Sequence, residues 1–216
     1  MMDELELLKS QWHSRDKELP RLTYGEIYKM LLKKSSSIVK WILFISIGEI
    51  ILWTSLAFLV PESSRKLIND IGLREIMTII NIVYYAIFIF FIILFYRNYR
   101  KISTTDSIKD LMGNIIRTRR TVKYFMLYNI LGTFTLMLGM NIFYYVNQDL
   151  VFKFMVQEDG VLASMDQKQF MTMFFLVQFI VGIIIIGLIV LFYRLVYGTL
   201  LRRLKKNHQE LEKIEL

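Results

Sequence analysis

Four long apolar segments, separated by charged segments, set the hydrophobic pattern of this chain. They cover residues 38–60, 76–96, 124–146 and 170–193. Each holds at least 20 residues, the length that a helix needs to cross about 30 Å of hydrocarbon. Buried helices of soluble proteins rarely stay apolar over that length. The pattern therefore predicts an all-α fold: an integral membrane four-helix bundle with short amphipathic helices outside the bilayer.

The basic residues are distributed unevenly between the connections. Segments 1–40, 97–123 and 194–216 hold 22 of the 27 Lys and Arg residues, whereas 61–75 and 147–169 hold five. Lys and Arg concentrate in cytoplasmic loops, so we expect a multi-pass protein of the inner (cytoplasmic) membrane with both termini cytoplasmic. The corresponding division is a cytoplasmic N-terminal segment (1–37), a four-span membrane domain (38–196, with cytoplasmic loop 97–123) and a cytoplasmic tail (197–216).

Basic and aromatic residues flank the predicted spans on their inner side. Such residues are enriched where a helix meets the headgroup layer. Tyr193 and Tyr197, at the end of the fourth span, are predicted to belong to the same aromatic belt. The predicted inner-interface anchors are Lys40, Trp41, Arg97, Lys123, Tyr124 and Arg194.

Two segments next to the spans have apolar residues at helical spacing. Residues 24–37 and 106–121 both predict amphipathic helices, the second with Asp106 as N-cap. Two interpretations are open: the helices lie in the inner headgroup layer, which we favour, or they pack on each other as a cytoplasmic module. In the tail, an apolar seam at spacings of four and three predicts a continuing helix or a short coiled coil, formed by Leu200, Leu204, Asn207, Leu211 and Ile214.

The first 19 residues contain one apolar stripe. Leu5, Leu8 and Trp12 share a face at spacings of three and four. Trp is enriched in binding hot spots, so these residues are candidates for docking a partner. Packing within the protein is the competing interpretation.

Glu49 lies well inside the first span, where a carboxylate costs roughly 3 kcal/mol on insertion scales. At 1.5 Å per residue it lies about 13 Å in from Lys40, and Gln178 lies about 12 Å in from the other end of span four. This depth count predicts an intramembrane polar layer of Glu49, Asn129, Thr133 and Gln178. The layer has two interpretations: an ion, proton or substrate site, or interhelical hydrogen bonds that fix packing.

Four glycines are expected where helices approach closely: Gly132, Gly139, Gly182 and Gly187.

The chain lacks the residues of most catalytic and metal sites. It has no Cys and two His, one near each terminus. Thiolate sites, a three-histidine zinc site and a four-histidine iron site are therefore excluded, and no nucleotide-binding or hydrolase motif is present. We therefore expect that the protein binds no metal and no cofactor, has no enzymatic activity and has no nucleic-acid partner.

Three stretches carry a resemblance to a known group. They are MDELELLK at 2–9, EIYKM at 26–30 and KKSSSIVKW at 33–41. The chain resembles small, uncharacterised four-span membrane proteins from Bacteroidota-type bacteria. The resemblance implies a bacterial inner-membrane location and no activity. Some of these proteins bear the label of carotene-cleaving oxygenase, which implies iron held by four histidines and is rejected for this chain.

Two functions are consistent with this pattern. The leading hypothesis is a non-enzymatic inner-membrane protein that presents cytoplasmic helices for protein or lipid interaction, with a regulatory role like that of membrane-bound anti-sigma factors. The alternative is a small proton-coupled transporter that uses Glu49. Besides the lipid bilayer, a soluble cytoplasmic protein and a second copy of the chain stay open as partners.

Overall fold

The structure, a computed structural model, describes residues 23–158 and 166–215. Over these residues it contains six helices and no strand: α1 (Tyr24–Phe58), α2 (Glu62–Asp70), α3 (Arg74–Ser103), α4 (Ile108–Val146), α5 (Gln148–Glu158) and α6 (Gln167–Glu215). Helices α1, α3, α4 and α6 are long and apolar enough to cross a membrane. The predicted all-α, multi-pass architecture is therefore confirmed.

The four long helices form two antiparallel hairpins, α1–α3 and α4–α6. Helices α2 and α5 belong to the connections within the hairpins, at what we call the loop end of the bundle. The opposite end, which carries residues 23–40, 97–123 and 195–215, is called the basic end. Helix α1 has 35 residues, a length of about 52 Å, so it extends beyond the hydrocarbon layer.

Local hydrogen bonds fix where the helices begin at the basic end. The backbone N–H of Thr23 donates to the Glu26 carboxylate over 2.8 Å, which satisfies a donor before the first turn of α1. In α4 the Ser107 hydroxyl accepts from the Asp110 N–H over 3.1 Å. The N-cap of α4 is therefore Ser107, and the prediction of Asp106 was wrong by one residue.

The hydrophobic core lies in the half of the bundle toward the basic end. In α1 and α4 the buried residues extend only as far as Glu49 and Asn129, and in α3 they begin at Phe88. The core includes apolar positions of all three predicted amphipathic segments, namely Leu31, Leu111, Ile115, Leu204 and Leu211. Because these side chains are buried in protein, the favoured headgroup-layer interpretation was wrong for them. The segments pack on one another as a helical module that continues the membrane bundle.

Toward the loop end, grooves separate the long helices, although Val151, Phe170 and Met171 are buried there. A groove of about 630 Å³ lies between α3 and α4, and one of about 730 Å³ lies between α4 and α6. A Cβ added to Gly132, Gly139 or Gly187 would meet nothing within 4 Å, so the prediction of close contact was wrong for these three. It is confirmed for Gly182, where an added Cβ would come within 2.5 Å of the Met137 Cε atom.

Two polar pairs define the register between α1 and α6. Glu49 bonds Tyr193, and Ser35 bonds Asn207. Both intervals, 35–49 and 193–207, contain the same number of residues, so the two helices run antiparallel in a constant register. Lys40 and Arg202 each lie five residues from the Ser35–Asn207 pair. They are therefore level, by which we mean at the same depth along the bundle axis.

Candidate functional site

Glu49 lies at the contact between α1 and α6, at the limit of the packed half. Its two carboxyl oxygens accept hydrogen bonds from two tyrosines of α6: Oε1 from the Tyr193 hydroxyl and Oε2 from the Tyr197 hydroxyl over 3.1 Å. The two tyrosines are four residues apart and therefore share a helix face. All three side chains are buried. The intramembrane carboxyl group is thus satisfied by a pair of phenols and not by a cation.

A second polar contact lies between α3 and α4. The Tyr84 hydroxyl donates to Asn129 Oδ1 over 3.2 Å, and Asn129 Nδ2 donates to the Phe125 carbonyl over 2.9 Å. Phe125 links the two contacts, because its ring packs on Tyr193 and Tyr197 at centroid distances of 6.3 and 5.9 Å. Aromatic packing therefore connects the polar groups of all four long helices.

Glu49, Tyr193 and Tyr197 together are called the Glu49 cluster. A groove reaches this cluster from the surface that faces lipid in a membrane. Its volume is about 210 Å³, and its lining consists of Glu49, Leu52, Trp53, Leu188, Ile189, Phe192 and Tyr193. Leu52 and Leu188 are 54% and 59% exposed, whereas Glu49 is 6% exposed. The carboxyl group thus lies at the inner limit of an apolar groove that opens sideways between α1 and α6.

The predicted polar layer is only partly assembled. Asn129 joins the cluster through Phe125, as described above. Gln178 does not: it lies 15 residues from Tyr193, about 22 Å along α6, and lines the α4–α6 grooves beside Asn141. Thr133 is half-buried on α4, beyond the last buried residue of that helix. The depth count failed because it took residues 170–193 as span four and counted Gln178 inward from Phe170, whereas the contact with α1 places Tyr193 at the depth of Glu49.

The register also changes the expected positions of three residues at the inner end of span four. Arg194 follows Tyr193 and is therefore level with Glu49, about 12 Å deeper than Arg202. Tyr193 and Tyr197 are 4% and 0% exposed, so they contact protein and do not form part of a lipid-facing belt. The remaining predicted anchors are exposed on the bundle surface, consistent with contact to headgroups: Lys40, Trp41, Arg97, Lys123 and Tyr124.

Sequence patterns had not pointed to Tyr84, Tyr193 and Tyr197 as partners of the polar residues. The i, i+4 spacing of the two α6 tyrosines was the available signal.

The candidate docking residues Leu5, Leu8 and Trp12 lie outside the described residues. Within 23–158 and 166–215, no group of three or more His, Asp or Glu side chains is placed to hold a metal ion.

The basic end contains its own polar contacts. The Tyr28 hydroxyl donates to the Thr105 carbonyl over 2.7 Å, which ties α1 to the turn between α3 and α4. Burial, together with the nearby carboxylates of Asp106 and Asp110, raises the pKa of Tyr28. Asn207 is 1% exposed and donates to the Ser35 hydroxyl over 3.0 Å, as expected for a polar position in an apolar seam.

A family comparison covers nearly all of the described chain. A model described as "Domain of unknown function (DUF8845)" matches residues 25–216. The chain belongs to this family. No curated protein matches it, and no solved structure does. The DUF8845 match includes both the membrane bundle and its basic end, which indicates that the two are parts of one domain.

Proposed function

We propose that this DUF8845 protein is a non-enzymatic protein of the bacterial inner membrane that presents its basic end to the cytoplasm. There the bundle would dock a soluble protein with an acidic surface, in a regulatory role. The observation that supports this most is the packed core of the basic end. A helical module with buried Leu31, Leu111 and Leu204 provides a rigid surface for a partner.

Charge complementarity indicates the kind of partner. Residues 23–40, 97–123 and 195–215 hold 17 Lys and Arg against 6 Asp and Glu. Among the described residues, one ion pair forms, Lys206–Glu210 at 4.0 Å. The remaining cations leave a positive potential that attracts acidic surfaces and accelerates their association.

Affinity purification from native membranes in mild detergent tests this proposal. The wild type is compared with a basic-end variant, Lys109→Gln with Arg117→Gln and Arg120→Gln, and with a matched loop-end control, Arg65→Gln with Lys66→Gln and Arg74→Gln. All six side chains are exposed. A chain lacking residues 1–20 tests whether the segment with Leu5, Leu8 and Trp12 takes part in docking.

The expected result is one acidic soluble protein that co-purifies with the wild type and with the loop-end control. Purified again on its own, it should bind the wild type, dissociate at high salt and bind the basic-end variant weakly. Recovery of the protein alone from every sample would contradict the proposal. So would a partner that binds the basic-end variant and the wild type equally.

A second candidate function is proton-coupled transport through Glu49. The specific observation in its favour is the groove between α1 and α6, which connects the lipid-facing surface to the buried carboxyl group of Glu49. Infrared difference spectroscopy of the reconstituted protein tests it through the carboxyl C=O band. Transport predicts that this band changes with pH in the wild type and is missing from Glu49→Gln. A band that does not change over the physiological pH range would exclude this role.

A further inference from the structure

A groove distinct from the Glu49 groove lies between α1 and α6 at the basic end. Its volume is about 480 Å³. Three of its eight lining residues are cationic and none is acidic, and the others are mostly apolar. They are Met30, Lys33, Lys34, Ser37, Ile38, Trp41, Leu200 and Arg203.

The groove is polarised along the bundle axis. Lys33 and Lys34 lie toward the end of the helix, and Trp41 lies toward the middle of the bundle, about 10 Å away along α1. Lys40 and Arg202, which are level with each other, mark the position where both helices carry exposed charge. The headgroup region of one leaflet is several Å thick. Arg203, next to Arg202, therefore lies at the headgroup boundary close to the depth of Trp41, and Lys33 and Lys34, about 10 Å farther out along α1, reach the headgroups through their flexible side chains.

This arrangement matches an amphipathic anion. Lys and Arg bind phosphate through charge-assisted hydrogen bonds, and Trp prefers the boundary between headgroups and hydrocarbon. Trp41 is 60% exposed and Met30 is 57% exposed, so apolar surface is available beside the three cations. A soluble anion would use the cations and leave that apolar surface uncovered.

We propose that this groove binds an anionic phospholipid of the adjacent leaflet. The lipid phosphate would contact Lys33, Lys34 and Arg203, and its acyl chains would pass along Trp41 and Leu200. The site does not depend on the proposed protein partner, since it uses a different surface from Lys109, Arg117 and Arg120. The lipid site and the docking function can therefore fail separately.

Native mass spectrometry of the full-length protein in neutral detergent tests the site. The probe is dioleoylphosphatidylglycerol, with dioleoylphosphatidylcholine as the zwitterionic comparison and inorganic phosphate as the soluble competitor. The groove variant is Lys33→Gln with Lys34→Gln and Arg203→Gln. The matched control removes three exposed cations elsewhere at the basic end: Lys101→Gln with Lys109→Gln and Arg117→Gln.

The groove variant should lose phosphatidylglycerol affinity by about tenfold or more, because the lipid phosphate loses its charge-assisted hydrogen bonds to three cations. The control variant should change it by no more than about twofold, and inorganic phosphate should not displace the lipid. Equal losses in the two variants would overturn the proposal. So would displacement by phosphate or equal binding of phosphatidylcholine.

A second measurement uses the wild type and so does not rely on the groove variant folding. Phosphatidylglycerol with brominated acyl chains quenches Trp fluorescence on contact. Subtracting the signal of Trp41→Phe isolates Trp41 from the two other Trp residues. Quenching of Trp41 by brominated phosphatidylglycerol, and less by brominated phosphatidylcholine, is expected. Equal quenching by both lipids would contradict a site selective for the anionic headgroup.

Discussion

The side-chain amide of Asn207 donates a hydrogen bond to the hydroxyl of Ser35 over 3.0 Å, between α6 and α1. Fourteen residues along each helix, the Tyr193 hydroxyl meets Glu49. The two pairs hold the first and last long helices of the chain in one antiparallel register. This register fixes which residues share a depth in the bundle, and it places Arg194 at the depth of Glu49 and not at the depth of Lys40.

The Ser35–Asn207 pair is expected to contribute specificity more than stability. Asn207 Oδ1 finds no partner among the described residues, and replacing both members of a buried polar pair by apolar groups is often neutral or stabilising. Ser35→Ala alone should destabilise by about 1–3 kcal/mol because it leaves the amide unpaired. Ser35→Ala with Asn207→Leu should recover most of that loss. Unfolding by denaturing detergent measures both, and a double variant less stable than Ser35→Ala would contradict the prediction.

The Glu49 cluster predicts measurable coupling between α1 and α6. Glu49→Leu leaves the Tyr193 and Tyr197 hydroxyls without their acceptor, whereas Glu49→Gln keeps one carbonyl oxygen. Glu49→Leu should therefore be the less stable variant. A double-mutant cycle of Glu49→Leu with Tyr197→Phe should give a coupling energy of about 0.6 kcal/mol or more, the average for interhelical hydrogen bonds in membrane proteins. Additive effects of the two substitutions would show that this contact contributes nothing to stability.

Tyr28 predicts a pH dependence of stability at the basic end. Its pKa is raised above the ordinary value of 10.0, first by burial and then by Asp106 and Asp110. A group with a raised pKa contributes stability that is complete below the unfolded pKa and is lost as pH rises through the folded pKa. Wild type should therefore lose more stability above pH 10.0 than Tyr28→Phe does. At neutral pH, Tyr28→Phe should cost about 0.5–1.5 kcal/mol for the bond to Thr105. The measurement is unfolding by denaturing detergent as a function of pH. If the stabilities of the wild type and of Tyr28→Phe fell in parallel as pH rises, the prediction would be contradicted.

Gly182 is expected to tolerate Ala but not a bulky β-branched side chain. The nearest atom to an added Cβ is the terminal methyl of Met137, which can rotate away because Met has three flexible torsions. Gly182→Ala should therefore be close to neutral, and Gly182→Ile should push α4 and α6 apart. Gly187→Ile is the matched control, since an added Cβ there meets nothing within 4 Å. Equal thermal stability of the two Ile variants would contradict the role of Gly182 as a close contact.

The sequence predicted the four membrane helices because a stretch of 20 apolar residues is long enough to identify by itself. It could not determine depth along α6. Arg194 interrupts an apolar stretch that continues through 195–201, and the predicted span was ended at that single charge. Since the depth of Gln178 was counted on the same helix, it was wrongly grouped with Glu49. Which residues are level depends on tertiary contacts such as Ser35–Asn207, which no local pattern contains.

The amphipathic pattern was also ambiguous for a physical reason. An apolar stripe at helical spacing fits a headgroup layer or a neighbouring helix equally well. At the basic end four such stripes meet, and Leu31, Ile102, Leu111 and Leu204 bury one another. Tyr193 and Tyr197 were assigned to the aromatic belt for the same reason, since a tyrosine near a span end suits an interface or a buried carboxyl group.

The docking proposal requires that the basic end face the cytoplasm, and single-cysteine labelling tests this most directly. The chain has no native Cys, so Lys109→Cys at the basic end and Glu62→Cys at the loop end each introduce one exposed thiol. Both are exposed in right-side-out bacterial membrane vesicles to a maleimide that cannot cross membranes. We predict that Glu62→Cys is labelled at once and Lys109→Cys only after the vesicles are permeabilised. Immediate labelling of Lys109→Cys with protection of Glu62→Cys would place the basic end outside and contradict the account.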